Sequence, residues 1–146
     1  MKKILTFSLI FFSAFYGWAQ DRVGPEDPGF PDQYAGYDFK DRFVALIVSD
    51  DLCNYYLVDF SKLPARFERV YFMNLSFNAD QIVNIRVDAE RNIVCFKARF
   101  KYSETEIEKV FDDLKQKTND TATLWSANKK TEWLKENDKY KLTDAL

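Results

Sequence analysis

The chain contains no histidine, and beyond Gly36 it contains no glycine. The first absence removes Ser-His-Asp and Cys-His nucleophile pairs and any imidazole ligand for zinc. The second removes the phosphate loop, the dinucleotide fingerprint and the nucleophile elbow, each of which needs a close backbone approach that glycine permits. Turns must rely instead on Asn and Asp, which tolerate left-handed backbone. Asn54, Asn78, Asn92 and Asn119 stand where apolar patterns break and mark the expected turns. Cysteine is scarce too: Cys53 and Cys95 make no Cys-x-x-Cys pair, so the expectation is no metal and no cofactor.

A long uncharged span is also missing. Ile4–Tyr16 is apolar but stops short of the ~20 residues that cross a bilayer. It follows Met1-Lys2-Lys3 and leads into the small-residue junction Gly17-Trp18-Ala19, the order of a secretory signal peptide. Residues 1–19 are expected to be cleaved, leaving Gln20 at the N-terminus and no stable membrane span. The leader resembles bacterial Sec signals, so the protein is expected in the periplasm or outside the cell. Loss of a leader with two lysines and no acid takes the formal charge from −2 to −4. A mildly acidic chain offers no footprint for nucleic acid or anionic membranes.

What is present begins with an uneven arm. Gly24, Gly29, Gly36 and every proline but Pro64 fall between residues 24 and 36, so 20–37 reads as an extended arm before one domain at 38–146. In that domain Val83, Ile85 and Val87 alternate with polar residues, as do Val94, Phe96, Ala98 and Phe100. Period two means strands with one buried face, here Val83–Asp88 and Ile93–Tyr102. Pairing Val87 with Val94 and Ile85 with Phe96 leaves the four-residue loop Ala89–Asn92. Ser103-x-x-Glu106 is a capping box, and Ile107, Val110, Phe111 and Leu114 follow at helical spacing, so a helix should run to Thr118 or Asn119.

Phe43–Val48 reads as a central strand, residues 62–73 as a helix with Pro64 in its first turn, Ala122–Trp125 as a short strand and Asn128–Asn137 as a terminal helix. The strand pattern of Tyr71, Met73, Leu75 and Phe77 keeps residues 62–77 open between helix and strand.

The expected class is α+β, an antiparallel sheet with helices on one face and a C-terminal helix. Its order over roughly residues 42–126 is similar to the ferredoxin-like, split βαβ arrangement. Small heavy-metal-associated domains share that order. They carry Cys-x-x-Cys after the first strand, where this chain reads Ser49-Asp50-Asp51-Leu52-Cys53, and one cysteine cannot replace two.

Three functional readings follow. The first is a small, non-catalytic module that binds an envelope protein through an aromatic patch or a sheet edge; its oligomeric state is open. Its candidate residues are Tyr55, Tyr56 and Tyr71 from a dense aromatic stretch, and Arg86, Lys97 and Arg99 from a basic stripe on the polar sheet face. The second is a carrier with an apolar pocket between sheet and helices. The third is a hydrolase or lyase using Asp50, Asp51 and a tyrosine. An even pair of cysteines in an exported chain also makes a Cys53–Cys95 disulfide an expectation, against the alternative of two buried thiols.

Overall fold

The computed structural model describes residues 34, 36–49, 52–99 and 101–144. The expected signal peptide, almost all of the arm, and Asp50 and Asp51 lie outside the described residues. Residues 31–146 form one unit. Its elements run β1 (Val44–Ser49), β2 (Cys53–Val58), a 3₁₀ turn (Phe60–Lys62), α1 (Arg66–Phe77), β3 (Ile82–Asp88), β4 (Ile93–Arg99), α2 (Glu104–Leu124) and α3 (Ala127–Asn137). The four strands form one antiparallel sheet in the order β1-β2-β4-β3.

The class is α+β as expected, but the connectivity is not split βαβ. A strand invisible to the periodicity argument, β2, is the next element after β1, and the 3₁₀ turn and α1 separate the two hairpins. Cys53-Asn54-Tyr55-Tyr56-Leu57-Val58 does not alternate because both of its faces are buried; apart from Asn54, every side chain there is shielded from water. Consequently β2 and β4 are central, and β1, expected to be central, lies at the edge.

The β3–β4 hairpin has the expected register: Val87 faces Val94, Ile85 faces Phe96 and Arg86 faces Cys95. Its turn is tied by Asp88, whose Oδ1 accepts from the N–H groups of Glu90 and Arg91 at 3.1 Å each. Asn92 closes it at φ 52°, the left-handed conformation foreseen for an asparagine. One position departs. The ladder shifts between Ile82 and Asn84, so Ile82 takes the inward place opposite Ala98 and Val83 is extruded, 50 % exposed. β4 ends at Arg99 rather than Tyr102.

Helix α1 starts four residues later than expected, because Phe60–Lys62 winds into a separate 3₁₀ turn capped by Asp59 and Pro64 lies in the link. The 62–77 ambiguity resolves as helix through Phe77. At α2 the capping box is complete: Ser103 N–H donates to Glu106 Oε2 at 2.7 Å and Glu106 N–H to Ser103 Oγ at 3.3 Å. The backbone N–H and hydroxyl of Ser103 hold the Glu106 carboxyl below its ordinary pKa, the backbone N–H contributing most. The helix does not stop at Asn119. Thr118 continues the buried stripe of Ile107, Phe111 and Leu114 and returns its hydroxyl proton to the Leu114 carbonyl at 2.8 Å. Ala122–Trp125 is therefore the helix end and its cap, not a strand.

The core lies between the sheet and α1 and α2. Phe72 of α1 sits edge-on to Phe43, Phe60 and Phe96 at ring-centroid distances of 5.4, 6.4 and 5.9 Å, and Phe96 meets Phe111 of α2 at 5.0 Å. The C-terminal stretch closes one end. Leu142 is buried in this core, and the Asn92 amide donates to Thr143 Oγ1 at 2.8 Å. Arg69, fully buried, donates to the carbonyls of Pro64 at 2.7 Å and Thr143 at 2.8 Å. Burial lowers the guanidinium pKa, and the charges of Asp144 and Glu68 offset part of this. The carbonyls supply the acceptors that the buried N–H groups need.

Candidate functional site: the outer face of the sheet

Strand periodicity assigns every sheet residue to one of two faces. Val44, Tyr56, Val58, Ile85, Val94, Phe96 and Ala98 face the helices and belong to the core. Tyr55, Leu57, Cys53, Cys95, Lys97, Arg99 and Arg86 therefore occupy the opposite face, and the ladder shows who neighbours whom. Tyr55 lies across from Lys97, Cys53 from Arg99, and Cys95 from Leu57 on one side and Arg86 on the other.

Four of the six candidate residues thus converge. Lys97 lies about 7–8 Å from Arg86 diagonally across the ladder and about 7 Å from Arg99 along β4, so it stands between two arginines that are themselves more than ~13 Å apart. Tyr55 stands across from Lys97, the middle of the three cations, with Lys97 Nζ 5.4 Å from its ring centroid. Tyr55 itself is buried, Arg86 and Lys97 are half-buried, and Arg99 is exposed. Among the described strand residues of this face the acid is Asp88, and Arg91 engages it at 3.4 Å. An acidic chain therefore carries a locally basic sheet face.

The other two candidates are elsewhere. Tyr56 points inward, is fully buried, and packs against Phe111 at 6.3 Å. Burial pushes its hydroxyl above the ordinary pKa; Asn54 offsets part of this without a hydrogen bond of regular geometry, and Glu104 and Glu108 add to the rise. Tyr71 lies on α1 in an aromatic corner with Phe67, Trp125 and Trp133, at 5.4, 5.8 and 5.2 Å. That corner joins the three helices and is remote in topology from the basic face. Sequence density of aromatics could not separate these roles, because adjacent positions in β2 belong to opposite faces.

No disulfide joins the cysteines. Both are buried on the outer face of neighbouring strands, but Cys95 lies opposite Leu57, four residues along β2 from Cys53. At about 3.3 Å per residue that offset is roughly 13 Å, well beyond the ~7 Å span of a bridge. The expected bridge needs Cys53 in a loop able to fold over; its place inside a strand forbids that.

Asp59, an acid near Asp50 and Asp51 in sequence, is occupied structurally: its Oδ1 accepts from Ser61 N–H at 3.1 Å and Ser61 Oγ–H at 2.6 Å. Among the described residues no group of three acids or cysteines is arranged to hold a metal. The space between sheet and helices is filled by core side chains. An apolar recess of 360 Å³ lies instead at the sheet end, lined in part by Tyr37, Phe39, Leu57, Phe60 and Ile93. A second recess, of 480 Å³, lies where α1 leads into β3, and Arg99 reaches into its wall together with Lys101 and Phe77. In sequence Lys101 continues the alternation of Lys97 and Arg99, but it lies beyond the end of β4. Phe77, which belongs to the dense aromatic stretch of the sequence, lies 65 % exposed at the end of α1. No family model matches the chain, and no curated protein or solved structure is significantly similar to it.

Proposed function

We propose that this chain is a small, non-catalytic protein-binding module exported to the bacterial envelope, and that it receives an acidic partner on the outer face of its sheet. The gathering of Tyr55, Arg86, Lys97 and Arg99 on that face carries the reading. Aromatic and arginine side chains dominate the energetics of protein interfaces, and a cationic patch on an acidic protein steers and selects anionic partners. The alternative of pairing through a sheet edge is less favoured. The ladder is irregular at Leu46–Val48 in β1 and at Ile82–Asn84 in β3, so both edge strands are broken by bulges that disfavour edge-to-edge addition. Export rests on the leader, whose basic, apolar and small-residue segments succeed one another in the order a signal peptidase reads.

The test is quantitative cross-linking in the native envelope with the wild type and with Lys97→Glu/Arg99→Glu. A specific partner enriched by the wild type should be lost on charge reversal and retained by Glu132→Lys on α3. Equal capture by both charge variants would refute the face assignment, and recovery of full-length chain in the cytosol would refute export. The apolar recess beside Tyr37 and Phe60 favours a second reading, carriage of a small apolar ligand. Co-purification of such a ligand, displaced by Phe39→Ala, would support it.

A further inference from the structure

A 480 Å³ recess lies between the end of α1 and the end of β4. Its wall includes Phe77, Ile82 and Tyr102 as apolar members, Arg99 and Lys101 as cations, and Asp80 as a single acid. Lys101 Nζ stands 4.9 Å from the Tyr102 ring centroid, which keeps a cation beside an aromatic surface. The geometry is anchored by backbone: Arg99 N–H donates to the Gln81 carbonyl at 3.1 Å, and Tyr102 N–H to the Arg99 carbonyl at 3.2 Å. A helix C-terminus ordinarily repels anions through its exposed carbonyls. Here the Leu75 and Ser76 carbonyls are taken by the N–H groups of Asn78 and Ala79, so that repulsion is blunted.

We propose that this recess binds an apolar or aromatic carboxylate, with the carboxylate between Arg99 and Lys101 and the apolar body against Phe77, Ile82 and Tyr102. Two cations against one acid leave the recess net positive, and charge-assisted bonds to a carboxylate are the strong contacts available there. The exposed Phe77 ring supplies the apolar surface that a bare anion would not need. The carboxylate can belong to a free small acid or to the terminal residue of a polypeptide, since the recognising groups are the same. This site goes beyond the protein-binding reading and shares with it only Arg99.

Titration of the purified full chain with N-acetyl-phenylalanine, followed by NMR, tests it. Saturable shifts are expected at the recess, and N-acetyl-phenylalaninamide should bind at least about tenfold more weakly. Lys101→Gln and Phe77→Ser should each weaken binding of the acid severalfold, whereas Lys117→Gln on α2 should not. A peptide ending in a free phenylalanine carboxylate that binds more tightly than N-acetyl-phenylalanine assigns the site to polypeptide termini; equal or weaker binding assigns it to small acids. Equal binding of acid and amide, or no shift up to about 10 mM, overturns the proposal. Neither Lys101 nor Phe77 belongs to the outer-face group, so loss of acid binding with partner capture intact separates the two readings.

Discussion

Truncating Phe96 to alanine tests the face assignment on which both the core and the candidate site depend. Phe96 is fully buried at the centre of the sheet, opposite Tyr56 and Ile85 and in ring contact with Phe72 and Phe111 at 5.9 and 5.0 Å. Removing a buried phenylalanine costs about 3–5 kcal/mol through lost burial and the cavity left behind. Two edge-on ring contacts, each worth ~0.5–1.5 kcal/mol beyond area, keep this site clear of the lower end of that range, near 4 kcal/mol by that reckoning. Its neighbour Lys97 points to the other face, and Lys97→Ala should change stability by no more than about 0.5 kcal/mol. Urea unfolding followed by the fluorescence of Trp125 and Trp133 reads both, since these rings sit together where the three helices meet. For a chain of this size the Phe96→Ala midpoint should fall by roughly 2 M urea, and its melting temperature by roughly 15 °C. If that variant does not fold, Phe96→Leu should still cost about 1–1.5 kcal/mol. Equal losses for the Phe96 and Lys97 variants would show that the two residues do not face opposite sides, and the outer-face site would go with them.

Ile85→Ala should cost about 2–5 kcal/mol while Val83→Ala stays within about 0.5 kcal/mol, because the bulge has extruded Val83; a larger loss at Val83 would restore strict alternation in β3. Ser103→Ala should lower stability by about 1 kcal/mol in the same urea assay through loss of the N-cap of α2, and no change would mean that the box does not form in solution. Because the folded Glu106 pKa is depressed, its carboxylate stabilises fully above the ordinary glutamate value and ceases to as pH falls through the lowered one. The stability difference between wild type and Glu106→Gln should accordingly be present at neutral pH and shrink towards zero on acidification; a difference growing with acid would reverse the sign. Alkylation in denaturant without reductant should modify both Cys53 and Cys95, and reductant should leave the melting temperature unchanged; a pair protected until reduced would contradict the register of β2 and β4.

Local chemistry makes several elements legible in the sequence alone. The register of the β3–β4 hairpin follows from alternation, since a slip of one residue would turn Val94 and Phe96 to water. The start of α2 follows from Ser103 and Glu106, whose reciprocal bonds need only three residues of spacing. The face shared by Cys95, Lys97, Arg99 and Arg86 follows from the same period of two. What sequence could not decide were properties of neighbours brought together across the chain. A strand buried on both sides has no polar alternation, so β2 carries no periodic signal, and without it Cys53 and the strand order are misplaced together. The extension of α2 to Leu124 depends on Thr118 finding a buried place against other elements, which overrides the weak helix propensity of its threonines. Whether Tyr55 or Tyr56 faces the cations is set by the pairing of β2 with β4, and the recess beside Phe77 exists only where the end of α1 meets the end of β4. Short-range hydrogen bonds and periodicity are written in neighbouring residues, whereas strand order, bulges and recesses arise when distant segments exclude water from one another.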